Sequence, residues 1–377
     1  MTKYELSLTK DYVPGWTIVD AMRELFQNAL DQQTTTPDNE MFWDYDEKEQ
    51  KFYIGNKSSV LEPKSLLLGA SSKANDKNTI GQFGEGYKVA TLVLLRNGKT
   101  VTFYNYGAKE VWRARFSKSR KYGTDILVFE VDKKFMWQSV PDNNLTIEIG
   151  NITFEESLWI GEHNLHMQEA YKYWQTPFGR ILVEEDLKGK MFVNGLYICD
   201  NKEFHYGYSF NPDQVRLDRD RKLINDFDLK WKTSQMWVGF RDEDNEWDYD
   251  AIDAASSLIQ EGAPDTEYVK EANSHTNAPR LMAVKEHVVG SFKEKYGDNA
   301  VPVSTQEEIE SVPDTHKAVI VNETFKKVVT SSPEYVAPAS VVKPSLRQRV
   351  EEWLEKHGNN LTSVQVAELE LILEDYE

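Results

Sequence analysis

A single cysteine, Cys199, stands among 377 residues, so no disulfide can form within the chain and no thiolate-rich metal site can be built. No apolar run approaches the ~20 residues that a membrane helix needs. The opening residues, Met1-Thr2-Lys3-Tyr4-Glu5, lack the charged-then-apolar layout of a secretory leader, and a cytoplasmic location is expected. Positive charge is also scarce: 44 Lys and Arg against 62 Asp and Glu give a formal net charge of −18. Such a field opposes non-specific binding to nucleic acid or to an anionic membrane. The densest basic stretch, residues 109–121 with Arg113, Arg115, Lys118 and Arg120, reads as the solvated side of a strand pair. His163 and His166 stand three apart, but two ligands without a third make a poor metal site.

What is present is a globular composition, 40% hydrophobic and 12% aromatic, in a chain long enough for two or three domains. Trp16, Val19, Met22, Leu25, Phe26 and Leu30 recur at helical spacing after the Pro14-Gly15 break, which predicts a helix over residues 16–33. Runs at 41–45, 51–54, 101–106, 111–116, 125–131 and 145–149 read as strands separated by turn residues. A short apolar turn is expected at 66–68, a polar stretch over 69–79, and a glycine entry into a buried helix over 84–95. Residues 1–157 therefore read as helices on one face of a mostly antiparallel sheet, an α+β layered domain.

Residues 158–330 read as a second, α/β region. A helical stretch is expected over 158–174, strands at 181–184, 190–198 and 206–210, and helices over 226–238 and 249–260. A loop follows over 262–279, then alternating helix and strand to 329. Residues 331–344, with Pro333, Pro338 and Pro344, have linker chemistry. In 345–377, Ser345 with Gln348 and Thr362 with Gln365 satisfy the capping-box spacing, and Gly358 supplies a stop. This C-terminal helical hairpin either binds a partner, self-associates or docks back on its own chain.

Two segments carry chemistry. In Arg23-Glu24-Leu25-Phe26-Gln27-Asn28-Ala29-Leu30-Asp31 a carboxylate and a carboxamide stand four apart, hence on one helix face. In Ile80-Gly81-Gln82-Phe83-Gly84-Glu85-Gly86-Tyr87-Lys88 three glycines precede an apolar run. That composition suits a backbone that wraps phosphates and then enters a helix. Glu24 can polarise a water for attack on a γ-phosphate. Asn28 offers a neutral oxygen to Mg²⁺, which keeps several waters and takes few protein ligands. Gly81, Gly84 and Gly86 let backbone N–H groups approach phosphate, with Gln82, Phe83 and Glu85 in the same turn, and Lys88 adds a point charge. Either segment alone has an ordinary structural reading; in this order and spacing they point to nucleotide hydrolysis.

Glu-x-x-x-Asn-x-x-Asp on a first helix, a loose stretch, and Gly-x-x-Gly-x-Gly opening a second helix resemble the GHKL ATPases, the superfamily of gyrase, the heat-shock chaperones, histidine kinases and MutL. The run from Leu67 to Lys73, with Ile80 to Gly84, is similar to what the chaperones and MutL carry around their ATP lid. The resemblance covers residues 10–155. It implies a Bergerat-type sandwich of a mixed sheet under helices, ATP and Mg²⁺ as cofactors, and dimerisation on nucleotide binding. It further implies a lid over 69–79 in which Ser71, Ser72 and Lys73 close over phosphate, and a supporting place for Asp31. Thr146 looks like the threonine that relatives carry near the adenine, with Thr124 as its rival. One departure stands out: where relatives have Asp-x-Gly-x-Gly after the second strand, this chain reads Asn56-Lys57-Ser58-Ser59-Val60. Asn56 is the nearest substitute, since its carbonyl can accept from the adenine amino group, though more weakly than a carboxylate. The stand-alone organisation is similar to that of phage-encoded members.

The run from Met191 to Ile198 resembles the first strand and turn of the transducer domain of MutL and gyrase, from which a basic residue reaches the γ-phosphate. Arg219, Arg221 and Lys222 are the candidates here, Arg221 and Lys222 foremost, against a solvated run in which Asp218 and Asp220 pair with the arginines. The expectation is an ATP-binding, slowly hydrolysing protein in which Mg–ATP binds, the lid closes, the second domain docks and water activated at Glu24 resets the shape. Two other readings stand beside it: a non-catalytic nucleotide-binding switch or inhibitor of a partner protein, and a chaperone-like client binder. Retention of Glu24 speaks against the first of these.

Overall fold

The computed structural model describes residues 1–67, 86–133, 143–215, 226–238, 248–274 and 282–338, with 350, 353, 354, 356, 361, 362, 364–366 and 368 beyond them. The chain forms two compact units, Met1–Asp248 and Tyr249–Glu377. The architecture is α+β. The first unit opens with β1 (Thr2–Thr9), α1 (Ile18–Thr35), β2 (Met41–Asp46), β3 (Lys51–Asn56), a short turn at Pro63–Leu66, and α2 (Gly86–Arg96). Then come β4 (Thr100–Asn105), β5 (Glu110–Lys118), β6 (Asp125–Asp132) and β7 (Leu145–Gly150). These seven strands make one sheet in the order β1-β6-β5-β4-β7-β3-β2. Every ladder in it is antiparallel, where the GHKL resemblance implies a mixed sheet. Short connections join β2 to β3, β4 to β5 and β5 to β6, and such connections can only reverse the chain.

Thr17 and Asp20 begin α1 with a capping box: the Thr17 N–H donates to Asp20 Oδ2 at 2.8 Å and the Asp20 N–H to Thr17 Oγ1 at 3.4 Å. An aspartate thus fills the place usually taken by Glu or Gln. The helix lays Met22, Leu25, Phe26 and Ala29 into the core, with Phe26 edge-on to Phe52 at 6.0 Å. In α2, Tyr87 meets Phe103 in the same way at 6.1 Å. Strand alternation places Phe52, Ile54 and Asn56 on this helix-covered face, beside Leu145, Ile147 and Ile149, and puts Tyr53, Thr146 and Glu148 on the other. The last residue of α2, Arg96, donates to the carbonyls of Tyr12, Val13 and Trp16 at 2.9, 3.0 and 3.1 Å, fixing the approach to α1.

Next come α3 (Phe154–Glu162), β8 (Tyr173–Thr176), β9 (Gly179–Leu182), β10 (Lys190–Val193), β11 (Leu196–Asp200), β12 (Gly207–Phe210) and α4 (Asp226–Met236). The five strands form a second sheet, β11-β10-β12-β9-β8, in which β10 and β12 run parallel. The helix expected over 158–174 ends early. The N–H of Tyr197 donates to the His163 carbonyl at 3.1 Å and that of Leu165 to Gly195 at 2.9 Å, so the backbone there pairs with β11 instead of continuing the helix. The single strand expected over 190–198 is a hairpin, turning at Asn194 and Gly195 with φ of 50° and 75°. Leu196 of β11 belongs to the same apolar core as α1, so the second sheet abuts the helix that carries Glu24.

The second unit contains α5 (Tyr249–Glu261), α6 (Val269–Ser274), α7 (Met282–Tyr296), β13 (Ala300–Val303), α8 (Gln306–Ser311), β14 (Lys317–Ile320) and α9 (Glu323–Thr330). Strands β13 and β14 are parallel, with α8 as the crossover. The expected loop over 262–279 holds α6, whose Val269 and Ala272 are buried. Asn322 accepts from the Phe325 N–H to cap α9 and donates to the carbonyls of Ile259 and Gln260, tying down the end of α5. In the tail, Thr362 and Gln365 form their capping box; Ser345 and Gln348 lie outside the described residues. Among the described residues no helix is long and apolar enough to cross a membrane.

Candidate functional site

Glu24 lies on the inner face of α1 with 1% exposure. Gly86 is the first residue of α2, and a Cβ built on it would stand 2.5 Å from Glu24 Oε2 and 3.0 Å from Asn28 Nδ2. A side chain at this position would force the Glu24 and Asn28 side chains to shift. The acid–amide pair and the last glycine of the glycine-rich segment, distant in sequence, are therefore one constellation.

The amides around this point are oriented by the backbone. Asn28 Nδ2 donates to the Glu24 carbonyl at 2.6 Å, which leaves Oδ1 as the accepting atom. Asn56 is buried at the end of β3, and its Nδ2 donates both to Ala29 O at 2.8 Å and to Asn39 O at 2.9 Å. With both Nδ2 hydrogens committed, the amide has no donor to spare and offers a ligand only its acceptor Oδ1. Ser58, at the first glycine of the motif that this chain lacks, has φ of 50°, a left-handed conformation that favours glycine. Asn105, fully buried, holds the same segment: its Nδ2 donates to Leu61 O at 2.7 Å and its Oδ1 accepts from Leu61 N at 3.3 Å. Sequence reasoning missed Asn105 and Arg96. The only signal for Asn105 was an amide at an inward position of a strand.

Other expected site residues fall elsewhere. Thr146 pairs with Gly55 and with Tyr104, and its side chain lies on the face of the sheet away from α1 and α2, whereas Asn56 lies on theirs. Thr124 precedes β6, separated from β3 by three strands. Neither threonine is brought to Glu24, Asn28 and Asn56. Lys88 is fully buried, and its Nζ donates to the carbonyls of Ser65 and Leu67 at 2.8 and 2.6 Å. Asp31 is buried on α1. Ser71, Ser72, Lys73, Gly81, Gln82, Phe83, Gly84 and Glu85 lie outside the described residues, as do Arg219, Arg221 and Lys222. Among the described residues no three His, Cys, Asp or Glu side chains cluster as a metal site. In the basic stretch, Arg113 and Arg115 are exposed on the outward face of β5, and Arg115 meets Glu130 across the ladder at 2.6 Å.

No protein-family model matches the chain. An uncharacterized protein of Mycoplasma pneumoniae is similar to it, 25% identical over 232 residues, spanning 57% of this chain and 89% of that protein. Among solved structures, the B-subunit of the DNA gyrase from Myxococcus xanthus aligns over 68% of this chain and 93% of that one, at 8% identity and a TM-score of 0.30. A likeness that low carries no argument about this chain.

Proposed function

We propose that the first unit binds ATP with Mg²⁺ and hydrolyses it slowly, as a GHKL-type ATPase built on a Bergerat-like layer of helices over a sheet. The observation that carries this reading is the contact of Gly86 with Glu24 and Asn28. The Glu24 carboxylate and the Asn28 carboxamide converge on the backbone of Gly86 where an added methyl group would collide. These groups fit a magnesium–triphosphate. Backbone N–H groups at the start of α2 suit phosphate oxygens, and the Asn28 Oδ1 would ligate the metal, which supplies charge neutralisation at the phosphates. Glu24 holds the acceptor for a proton of the attacking water, and Asn56 presents its Oδ1 to a base amino group. From sequence, the proposal adds Ser71, Ser72, Lys73, Gly81, Gln82, Phe83, Gly84 and Glu85 at the phosphates and either Arg221 or Lys222 at the γ-phosphate. It also adds a transducer-like role for the second sheet and dimerisation on nucleotide binding. Thr146 is left out of the set, because its side chain is on the far face of the sheet.

Phosphate release measured on purified chain tests the reading. Wild type should turn over Mg–ATP, and Glu24→Ala should keep affinity for a fluorescent ATP analogue while losing ~10²-fold or more in rate. Wild type that binds the analogue without releasing phosphate, or a Glu24→Ala variant as active as wild type, would refute it.

A further inference from the structure

An ammonium buried without acceptors is costly, so a fully buried lysine has a structural duty. In the first turn of α2, Lys88 reaches the carbonyls of Ser65 and Leu67 at the end of the Pro63–Leu66 turn. Carbonyls at a helix end carry the negative pole of the peptide dipoles, and a cation from another helix caps them. Its neighbour acts on the same segment: Ser65 Oγ donates to Glu62 O at 2.6 Å, so Tyr87 OH must donate to Ser65 Oγ, at 2.9 Å. Asn105 grips Leu61 from the other side. Residues 61–67 are thus fixed by β4 at one end and by two consecutive residues of α2 at the other. Gly86 is covalently adjacent to this anchor, and its placement against Glu24 depends on where the first turn of α2 is held.

We propose that Lys88 is a positioning residue, which pins the first turn of α2 to residues 65–67 and so sets Gly86 against Glu24, and that it is not a ligand to phosphate. The placement stands on the geometry alone; its consequence for turnover rests on the ATPase reading. Amine acylation of the wild-type chain, mapped by mass spectrometry, separates the two roles. Without nucleotide, Lys88 should react on the order of 100-fold more slowly than Lys64, since a buried amine reacts only through local opening, whereas Lys64 is 79% exposed. Adding Mg–ATP should leave that rate unchanged. Reaction at the Lys64 rate, with protection by Mg–ATP, would overturn the proposal. This readout stands whether or not the chain hydrolyses anything. In steady-state assays, Lys88→Met should lower kcat by roughly 10-fold with KM within about threefold, and Lys88→Arg should recover part of the loss. A raised KM at unchanged kcat in Lys88→Met would contradict it. If Lys88→Met fails to fold, Tyr87→Phe, which loses one hydrogen bond from the same anchor, should show the same kcat loss in smaller measure.

Discussion

Gly86→Ala should separate stability from turnover. The added Cβ would sit 2.5 Å from Glu24 Oε2, against an ordinary contact of 3.4 Å or more. The carboxylate must therefore retreat by roughly 1 Å, a displacement that can cost ~10²-fold in rate, or ~2.7 kcal/mol of barrier. Folding should not suffer. Gly86 has no left-handed φ to strain an alanine, the colliding atoms are the ends of flexible side chains, and Ala exceeds Gly in a helix by ~0.5–1 kcal/mol. Thermal melting should therefore hold or rise slightly, while phosphate release at saturating ATP falls about 100-fold. Activity within about twofold of wild type would show that the Glu24 position does not govern catalysis.

Asn56→Asp should do harm, because it replaces two donated hydrogen bonds by a carboxylate facing the carbonyls of Ala29 and Asn39. A loss of ~3 kcal/mol is expected in urea unfolding, with no gain in nucleotide affinity. Asn105→Ala leaves the N–H and C=O of Leu61 without their partner and should cost ~2–3 kcal/mol by the same measurement. Arg96→Met releases the three carbonyls that fix the approach to α1 and should cost a similar ~2–3 kcal/mol, read as a lowered urea midpoint. In the second unit, the hydrogen bond from Lys326 holds the Glu308 carboxyl down at about 2, below its usual 4.5. A depressed carboxyl stabilises the folded state above its unfolded value and loses that contribution as pH falls from there toward 2. Lys326→Met should flatten the stability of that unit between those pH values, followed by urea unfolding at several pH values.

The first sheet and its helices are largely legible because apolar periodicity and turn residues agree there. Six of its seven strands match the expected runs to within a residue or two at each end, while β1 carries no expectation, and the α1 start is shifted by the Thr17–Asp20 cap. Legibility failed where tertiary pairing overrode composition. The Trp- and Tyr-rich run after Leu158 reads as helix, yet its backbone is captured by β11 at His163 and Leu165, and Tyr173–Thr176 becomes an edge strand. The stretch over 262–279 reads as a loop from its Gly, Pro and Asn, yet Val269–Ser274 is helical, with Val269 and Ala272 buried. The structure brings together Glu24, Asn28 and Gly86, whose spacing in the sequence suggests a joint role. It places Thr146 on the other face of the sheet; a threonine motif does not reveal which face a residue takes, whereas register does. Lys88, a lysine after glycines that suggests phosphate, donates instead to two backbone carbonyls.

A co-structure of the chain with Mg²⁺ and a non-hydrolysable ATP analogue tests the central claim most directly. The triphosphate should lie at the first turn of α2, with the Asn28 Oδ1 on the metal and the Glu24 carboxylate facing the terminal phosphate. Nucleotide bound away from the Glu24–Gly86 contact, or none bound at millimolar analogue, would contradict the account.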